Sequence, residues 1–251
     1  MSVFEKNYRV KEYLVVEINK DKMEPDTLPE IRIDDIIKNL YPDLQLGIFT
    51  SHVSVSESGP LILGKIDEVT AKIRSSYSLE DISSIATIQQ TKNAYRKLGK
   101  DPSRYRPSAE ALCRRIVNGK LLYHVNNIVD ILNIISIETG FSIGGYDLDK
   151  INSSIILSKG KAGIPYDAIG RGILNMEDLP VLYDNSGPFG SPTSDSTRTM
   201  VTPDTKNFLM VIFDFEGKAE MDKILQQITT DYTVLAECTD HKSKVINVLA
   251  G

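Results

Sequence analysis

The sequence predicts an α+β fold of mixed sheets with packed helices, and three observations carry that prediction. Strand-like and helix-like segments follow one another without strict strand–helix–strand alternation, which argues against a doubly wound parallel sheet. The run Phe208–Phe213 (FLMVIF) is continuously apolar, as expected of a central strand buried on both faces. Soon after it, Met221, Ile224, Leu225 and Ile228 keep the spacing that puts one helical face into a core.

Taken in order, the first element is a strand over Tyr8–Asn19, centred on the apolar run Tyr13–Val16 and bounded by charge. Ile33, Ile36, Ile37 and Leu40 mark a short helix that ends before Pro42, and Leu46–Val55 reads as extended. Helical spacing returns at Ile66, Val69 and Ile73, then at Ile82, Ile85 and Ala86 towards Tyr95. The turn Gly99–Pro107 breaks it, because Pro102 and Pro107 both disfavour helix before them. Ser108 is placed to cap the next helix, with Glu110 in its first turn and Ala109, Leu112, Cys113 and Ile116 on one face. Gly119 stops it.

Within Tyr123–Asp149, Ile128, Ile131, Leu132 and Ile135 form a helical stripe, yet Val129, Ile134 and Ile137 lie on the other faces. A helix apolar almost all round is buried on most sides. Its polar residues Asp130, Asn133 and Ser136 must then find partners or line a site. Gly144-Gly145 follows as a turn or a place for close ligand approach. Ser153–Ser158 and Val181–Asp184 read as strands, Lys159–Leu179 as an irregular excursion, and Asn185–Thr197 as a long loop of the functional kind. Tyr232–Glu237 and Lys244–Leu249 complete the set as strands.

At 251 residues, 41% apolar and 25% charged, the chain can build a sizeable core. No apolar run reaches the length of a membrane span, and the start lacks the apolar stretch of a signal peptide. A cytoplasmic protein without a membrane partner is expected. Cys113 and Cys238 are too few for a disulfide framework and read as core residues; nothing suggests a metal site or a cofactor. With only His52, His124 and His241 available, a Ser/His/Asp triad is disfavoured, and His124 reads as a packing or capping group. Gly170-Arg171-Gly172 lacks the strand–helix frame and further glycine of a phosphate loop.

Net charge is −5, but Lys92–Lys120 holds nine Lys/Arg against Asp101 and Glu110, a local +7 that leaves −12 elsewhere. Such asymmetry fits an RNA-facing patch on an acidic body. On charge alone it fits better a solvated face whose arginines pair with acids elsewhere, since such surface pairs are common. DNA is not expected as a partner.

The segment Val129-Asp130-Ile131-Leu132-Asn133, continuing through Glu138-Thr139-Gly140 to Tyr146-Asp147-Leu148-Asp149-Lys150-Ile151, resembles the editing module of the phenylalanyl-tRNA synthetase beta chain. Residues Arg96–Lys120 and the Asp195–Thr199 stretch followed by VTPDT are similar to the stand-alone form of that module. The matches span Asn93–Phe215. The expected organisation is one unit over 1–251, with 1–92 an N-terminal α/β extension and 93–251 the editing-module-like core. Where the synthetase carries a histidine two residues before the motif's aromatic, this chain has Gly144, as the stand-alone form commonly does.

What the resemblance implies is an aminoacyl-tRNA or aminoacyl ester as partner, with hydrolysis of a mischarged tRNA. Asn133 corresponds to a pocket asparagine, beside Gly144, Gly145 and Tyr146 as substrate-binding positions. The Asp195–Thr199 stretch adds further candidate catalytic groups: Asp195 and Arg198 are placed to pair, leaving the Ser196 and Thr199 hydroxyls to hold a water or the ammonium and ester of an amino acid; the alternative is that Asp195, Ser196 and Thr199 cap turns while Arg198 packs across the loop. Arg96, Arg104, Arg106, Arg114 and Arg115 would meet RNA phosphates. The rival reading keeps the fold and pocket for an amino-acid-like small molecule without RNA.

Overall fold

The computed structural model describes residues 28–248; the strand expected at Tyr8–Asn19, and Leu249, lie outside the described residues. In chain order the elements are β1 (Ile31–Ile33), α1 (Asp35–Leu40), β2 (Gln45–His52), α2 (Pro60–Ser76), α3 (Ala86–Leu98), α4 (Ser108–Val117), α5 (Asn127–Thr139) and β3 (Ile143–Asp147). They continue with β4 (Ile155–Lys159), β5 (Asp167–Ala168), β6 (Gly172–Ile173), β7 (Pro180–Asp184), β8 (Gly187–Gly190), β9 (Asn207–Asp214), α6 (Met221–Ala236) and β10 (Thr239–Asn247). The fold is α+β with mixed and antiparallel sheets.

One sheet runs β10-β2-β9-β3 and is antiparallel throughout; a second runs β1-β4-β7-β8, with β1 and β4 parallel; β5 and β6 form a small hairpin. The run Phe208–Phe213 explains how the layers stack. Side chains alternate across a strand, so Phe208, Met210 and Ile212 join a core with α2, α4, α5 and α6. Leu209, Val211 and Phe213 join a second core shared with β1, β4, β7 and β8. A strand covered by helices on one face and by a sheet on the other has no place for an alternating polar residue. That is why its sequence is continuous rather than patterned.

Helix α5 lies in the helical layer as its composition demands. The Asn126 side chain caps it by accepting from the Val129 N–H at 2.9 Å, and Gly140 ends it at φ 71°. Asp130 is buried and satisfied: Ser58 Oγ donates to it at 2.6 Å and the Val125 N–H at 3.0 Å. Ser136 Oγ donates to the Phe141 carbonyl at 2.7 Å.

Four elements differ from the sequence expectation. Ile33 is the last residue of β1, not part of α1. Ser108 is the first residue of α4 but does not cap it; its N–H goes to the Pro192 carbonyl, while its buried hydroxyl has no partner. Tyr232–Glu237 is the end of α6 rather than a strand, because Tyr232 continues the helical stripe from Ile228 and its hydroxyl donates to the Ile128 carbonyl at 2.9 Å. The loop at Asn185–Thr197 is partly strand, with Gly187–Gly190 paired to β7.

Candidate functional site

The site grows from β3. Gly144 and Gly145 lie inside this strand, not in a turn, and neither has a positive φ. They are glycines because of close packing on both faces. A Cβ on Gly145 would meet Leu132 at 2.5 Å and Phe208 at 3.2 Å, so this position lets α5 settle onto the sheet. A Cβ on Gly144 would run into the Tyr146 hydroxyl, and one on Gly190 of β8 would do the same. The two glycines thus form a slot for the phenol of Tyr146. Phe189 closes that slot edge-on at 5.0 Å.

Inside the slot the Tyr146 hydroxyl donates to Asp195 at 2.8 Å, and the Gly145 N–H donates to the other oxygen of the same carboxylate at 3.2 Å. No cation pairs with Asp195 among the described residues, although the residue keeps a partly exposed outline. Desolvation by the dense surroundings pushes its pKa up to about 7, against hydrogen bonding from Tyr146 and from the Gly145 and Ser191 backbone, which pulls it down. The carboxylate therefore changes charge near neutral pH. Burial also raises the phenol of Tyr146, so it stays a donor. Tyr166, buried beside the same loop, donates to the Ser194 carbonyl at 2.6 Å and holds the backbone just before Asp195.

The rest of the loop is structural in part. Asp195 and Arg198 do not pair. Arg198 reaches instead to Asp184 at the end of β7 with two bonds of 2.8 and 3.0 Å, and donates to the Gly187 carbonyl at 3.1 Å. This planar fork matches a carboxylate well and pins the loop to the second sheet. Ser196 Oγ accepts from the Arg198 N–H at 3.3 Å, a turn cap. Thr199 is fully buried and its hydroxyl has no partner among the described residues. An unmet buried hydroxyl four residues from Asp195 is an exception that asks for a ligand or a water.

Asn133 is half-buried, and its carboxamide makes no hydrogen bond among the described residues. It sits one position from Leu132, the residue packed against Gly145. No bond links it to Asp195, Ser196, Arg198 or Thr199. Sequence reasoning missed Asp184, Phe189 and Gly190. Only Gly190, directly after the proline-flanked Phe189, left any trace in the sequence.

The basic segment is largely committed to the fold. Glu110 is buried, and Lys92, Arg106 and Arg114 approach one of its oxygens at 3.6, 3.6 and 3.8 Å; its other oxygen has no hydrogen-bond partner. Arg115 donates to the Leu121 carbonyl at 2.6 Å and lies 3.8 Å over the ring of Tyr123. Arg96 is exposed and bonded only to Asn93, and Arg104 is exposed.

Among the described residues, none of the three histidines contacts Asp195: His124 lies 3.9 Å from Asp130, and His241 bonds Thr233 at 2.8 Å. Cys113 and Cys238 are buried, and burial raises both thiols to about 11, leaving them unreactive. No group of His, Cys, Asp and Glu there is arranged to hold a metal, and no helix is long and apolar enough to cross a membrane.

The model of one protein family, the B3/4 domain, matches residues 90–234. A crystal structure of an N-terminal fragment of the phenylalanyl-tRNA synthetase beta-subunit from Pyrococcus horikoshii aligns at 15% identity and a TM-score of 0.43. The alignment covers 88% of this chain and 51% of that one, so the chain spans about half the length of the fragment. A likeness that distant bears on neither site nor chemistry. No curated protein matches.

Proposed function

The chain belongs to the B3/4 domain family, and from that premise we propose that it is an RNA-associated module that hydrolyses an aminoacyl ester at the Tyr146–Asp195 site. The substrate is a mischarged aminoacyl-tRNA or an ester derived from one. One observation carries this reading: a carboxylate with no cationic partner, desolvated to a pKa of about 7 and oriented by the Tyr146 hydroxyl and the Gly145 N–H. Such a group takes and returns a proton at neutral pH. The similarity of Arg96–Lys120 and Asp195–Thr199 to the stand-alone form supports a module acting apart from a ligase core, in the cytoplasm.

In this mechanism the Asp195 carboxylate accepts a hydrogen bond from a water and takes its proton as the oxygen attacks the ester carbonyl carbon. The bond from that carbon to the ribose oxygen then breaks, and the proton on Asp195 passes to the leaving oxygen. No covalent intermediate forms, since no activated Ser or Cys is at hand. Tyr146 holds Asp195 in place, and Arg198, fixed on Asp184, keeps the loop in register. The free hydroxyl of Thr199 and the carboxamide of Asn133 are the remaining polar groups for the ester and the amino acid. Positioning and a preformed polar environment supply the acceleration.

A second reading, an amino-acid-like small-molecule binder without RNA, is favoured by one finding: Lys92, Arg106 and Arg114 are turned onto Glu110. Incubation with a panel of mischarged aminoacyl-tRNAs separates the two. Release of the amino acid by the wild-type chain, lost in Asp195→Asn, is the expected result. Thermal stabilisation by free amino acids with no deacylation and no tRNA binding supports the second reading instead.

A further inference from the structure

The Gly170-Arg171-Gly172 tripeptide is not a phosphate loop, but the structure gives it a place. It forms the tip of the β5–β6 hairpin, with Asp167 opposite Ile173 and Ala168 opposite Gly172. Gly170 and Gly172 both have φ 68°, the left-handed region in which glycine is at ease, so the turn is tight and Arg171 stands at its apex. The hairpin is joined to the candidate site by three links. The Ile169 N–H donates to the Asp195 carbonyl at 3.0 Å, Ala168 bridges to Ser196, and Thr197 Oγ1 donates to Asp167 at 2.9 Å. Where Asp195 goes, the hairpin tip goes.

The tip is built unlike ordinary surface. Ile173 is 72% exposed and Ile169 43%, an apolar pair left in water beside a polar site. Arg171 is exposed; its backbone N–H donates to the Ala168 carbonyl at 3.1 Å, while its side chain makes no hydrogen bond or ion pair among the described residues. The nearest acid of the hairpin, Asp167, is turned back to Thr197. An uncompensated guanidinium flanked by two exposed aliphatic side chains matches a ligand that is anionic at one point and flat and apolar at another. A nucleotide has that chemistry, with its phosphate for the arginine and its base for the isoleucines.

We infer that the Ile169–Ile173 hairpin clamps the terminal nucleotide of the RNA whose aminoacyl ester lies at Asp195. This rests on the ester-hydrolysis reading of the site and adds the element that recognises the RNA end. The clamp acts on binding and takes no part in proton transfer. Arg171 is a binding residue in this scheme; Asp195 carries the chemistry.

The test uses the full chain as wild type, Arg171→Ala, Ile173→Ala and Asp195→Asn. Two quantities are measured: the affinity for an uncharged single-stranded RNA ending in CCA, and kcat and KM on a mischarged aminoacyl-tRNA beside an amino-acid ethyl ester that has no nucleotide. The Arg171 side chain is exposed and has no bonding partner among the described residues, and alanine keeps the backbone N–H that bonds the Ala168 carbonyl, so the substitution leaves the fold intact. The expected result for Arg171→Ala is about tenfold weaker RNA binding and higher KM for the tRNA substrate. Its salt slope falls by about 0.7, the share of one phosphate on a single strand. Its kcat, and both constants on the ethyl ester, stay at wild-type values. Ile173→Ala gives a smaller loss of the same kind.

If Arg171→Ala binds and hydrolyses the RNA substrate as wild type does, the clamp is wrong and the ester-hydrolysis reading stands. Equal losses on both substrates also overturn the clamp. If RNA binding depends on Arg171 while no ester is hydrolysed, or Asp195→Asn remains fully active, the clamp holds and the assigned chemistry falls. A wild-type chain that binds no RNA overturns both.

Discussion

Two desolvated carboxylates, about as far apart in role as this chain allows, show what separates holding the fold from doing chemistry. Glu110, on α4, is met by three cations from three places: Lys92 of α3, Arg106 of the turn and Arg114 of its own helix. Asp195 is met by none. It is held by a phenol and a backbone N–H, both neutral donors. A charge surrounded by fixed opposite charges is a structural joint. A charge desolvated among neutral donors is one that protonates easily, and Asp195 does so at about 7.

That contrast can be broken at either end. The largest effect is expected from Glu110→Ala, which leaves three cations facing one another around an emptied site and removes about 3–5 kcal/mol of stability. Urea denaturation measures it; a loss below about 1 kcal/mol would make the cluster a solvated surface after all. Next comes Gly144→Ala. The added methyl displaces the Tyr146 hydroxyl, costs about 1–3 kcal/mol through overpacking, and removes one hydrogen bond from Asp195. Ester hydrolysis should fall with it far more than in Gly64→Ala, where a Cβ meets nothing within 4 Å.

The pH dependence of stability sharpens the Asp195 end. Its folded pKa of about 7 lies above the ordinary 3.8, so between those values the folded state holds a proton that the unfolded state has lost. Stability from this group is fully present below about pH 4 and lost as pH rises to about 7, with a slope approaching 1.4 kcal/mol per pH unit. Asp195→Asn should remove that slope. Urea midpoints across pH 4–8 should flatten in the variant relative to wild type.

The fold was legible wherever burial dictated a whole pattern. β9 announces itself because both its faces are covered, and α5 because nearly all of its sides are. Tyr232–Glu237 misled because Tyr, Thr and Val favour strands locally, while the packing of Tyr232 four residues after Ile228 keeps the helix going. Gly144-Gly145 read as a turn because sequence cannot show that a tyrosine two residues on lies back over the first and a helix presses on the second. The loop Asp195–Thr199 was visible as a polar cluster, but not its wiring. Arg198 passes over the acid three residues away for Asp184, which only strand pairing brings near. The +7 of Lys92–Lys120 was real as a count, yet a count cannot show that Glu110 sits inside the cluster it balances.

If Asp195 accepts the proton in ester hydrolysis, the pH–rate profiles of wild type and Asp195→Asn on a mischarged aminoacyl-tRNA must differ in shape as well as height. The wild-type rate should rise to a plateau near pH 7, and the Asn variant should be slower by about 10²–10⁴-fold with that rise absent. An Asp195→Asn chain that hydrolyses the ester at the wild-type rate with the same rise near pH 7 would contradict it.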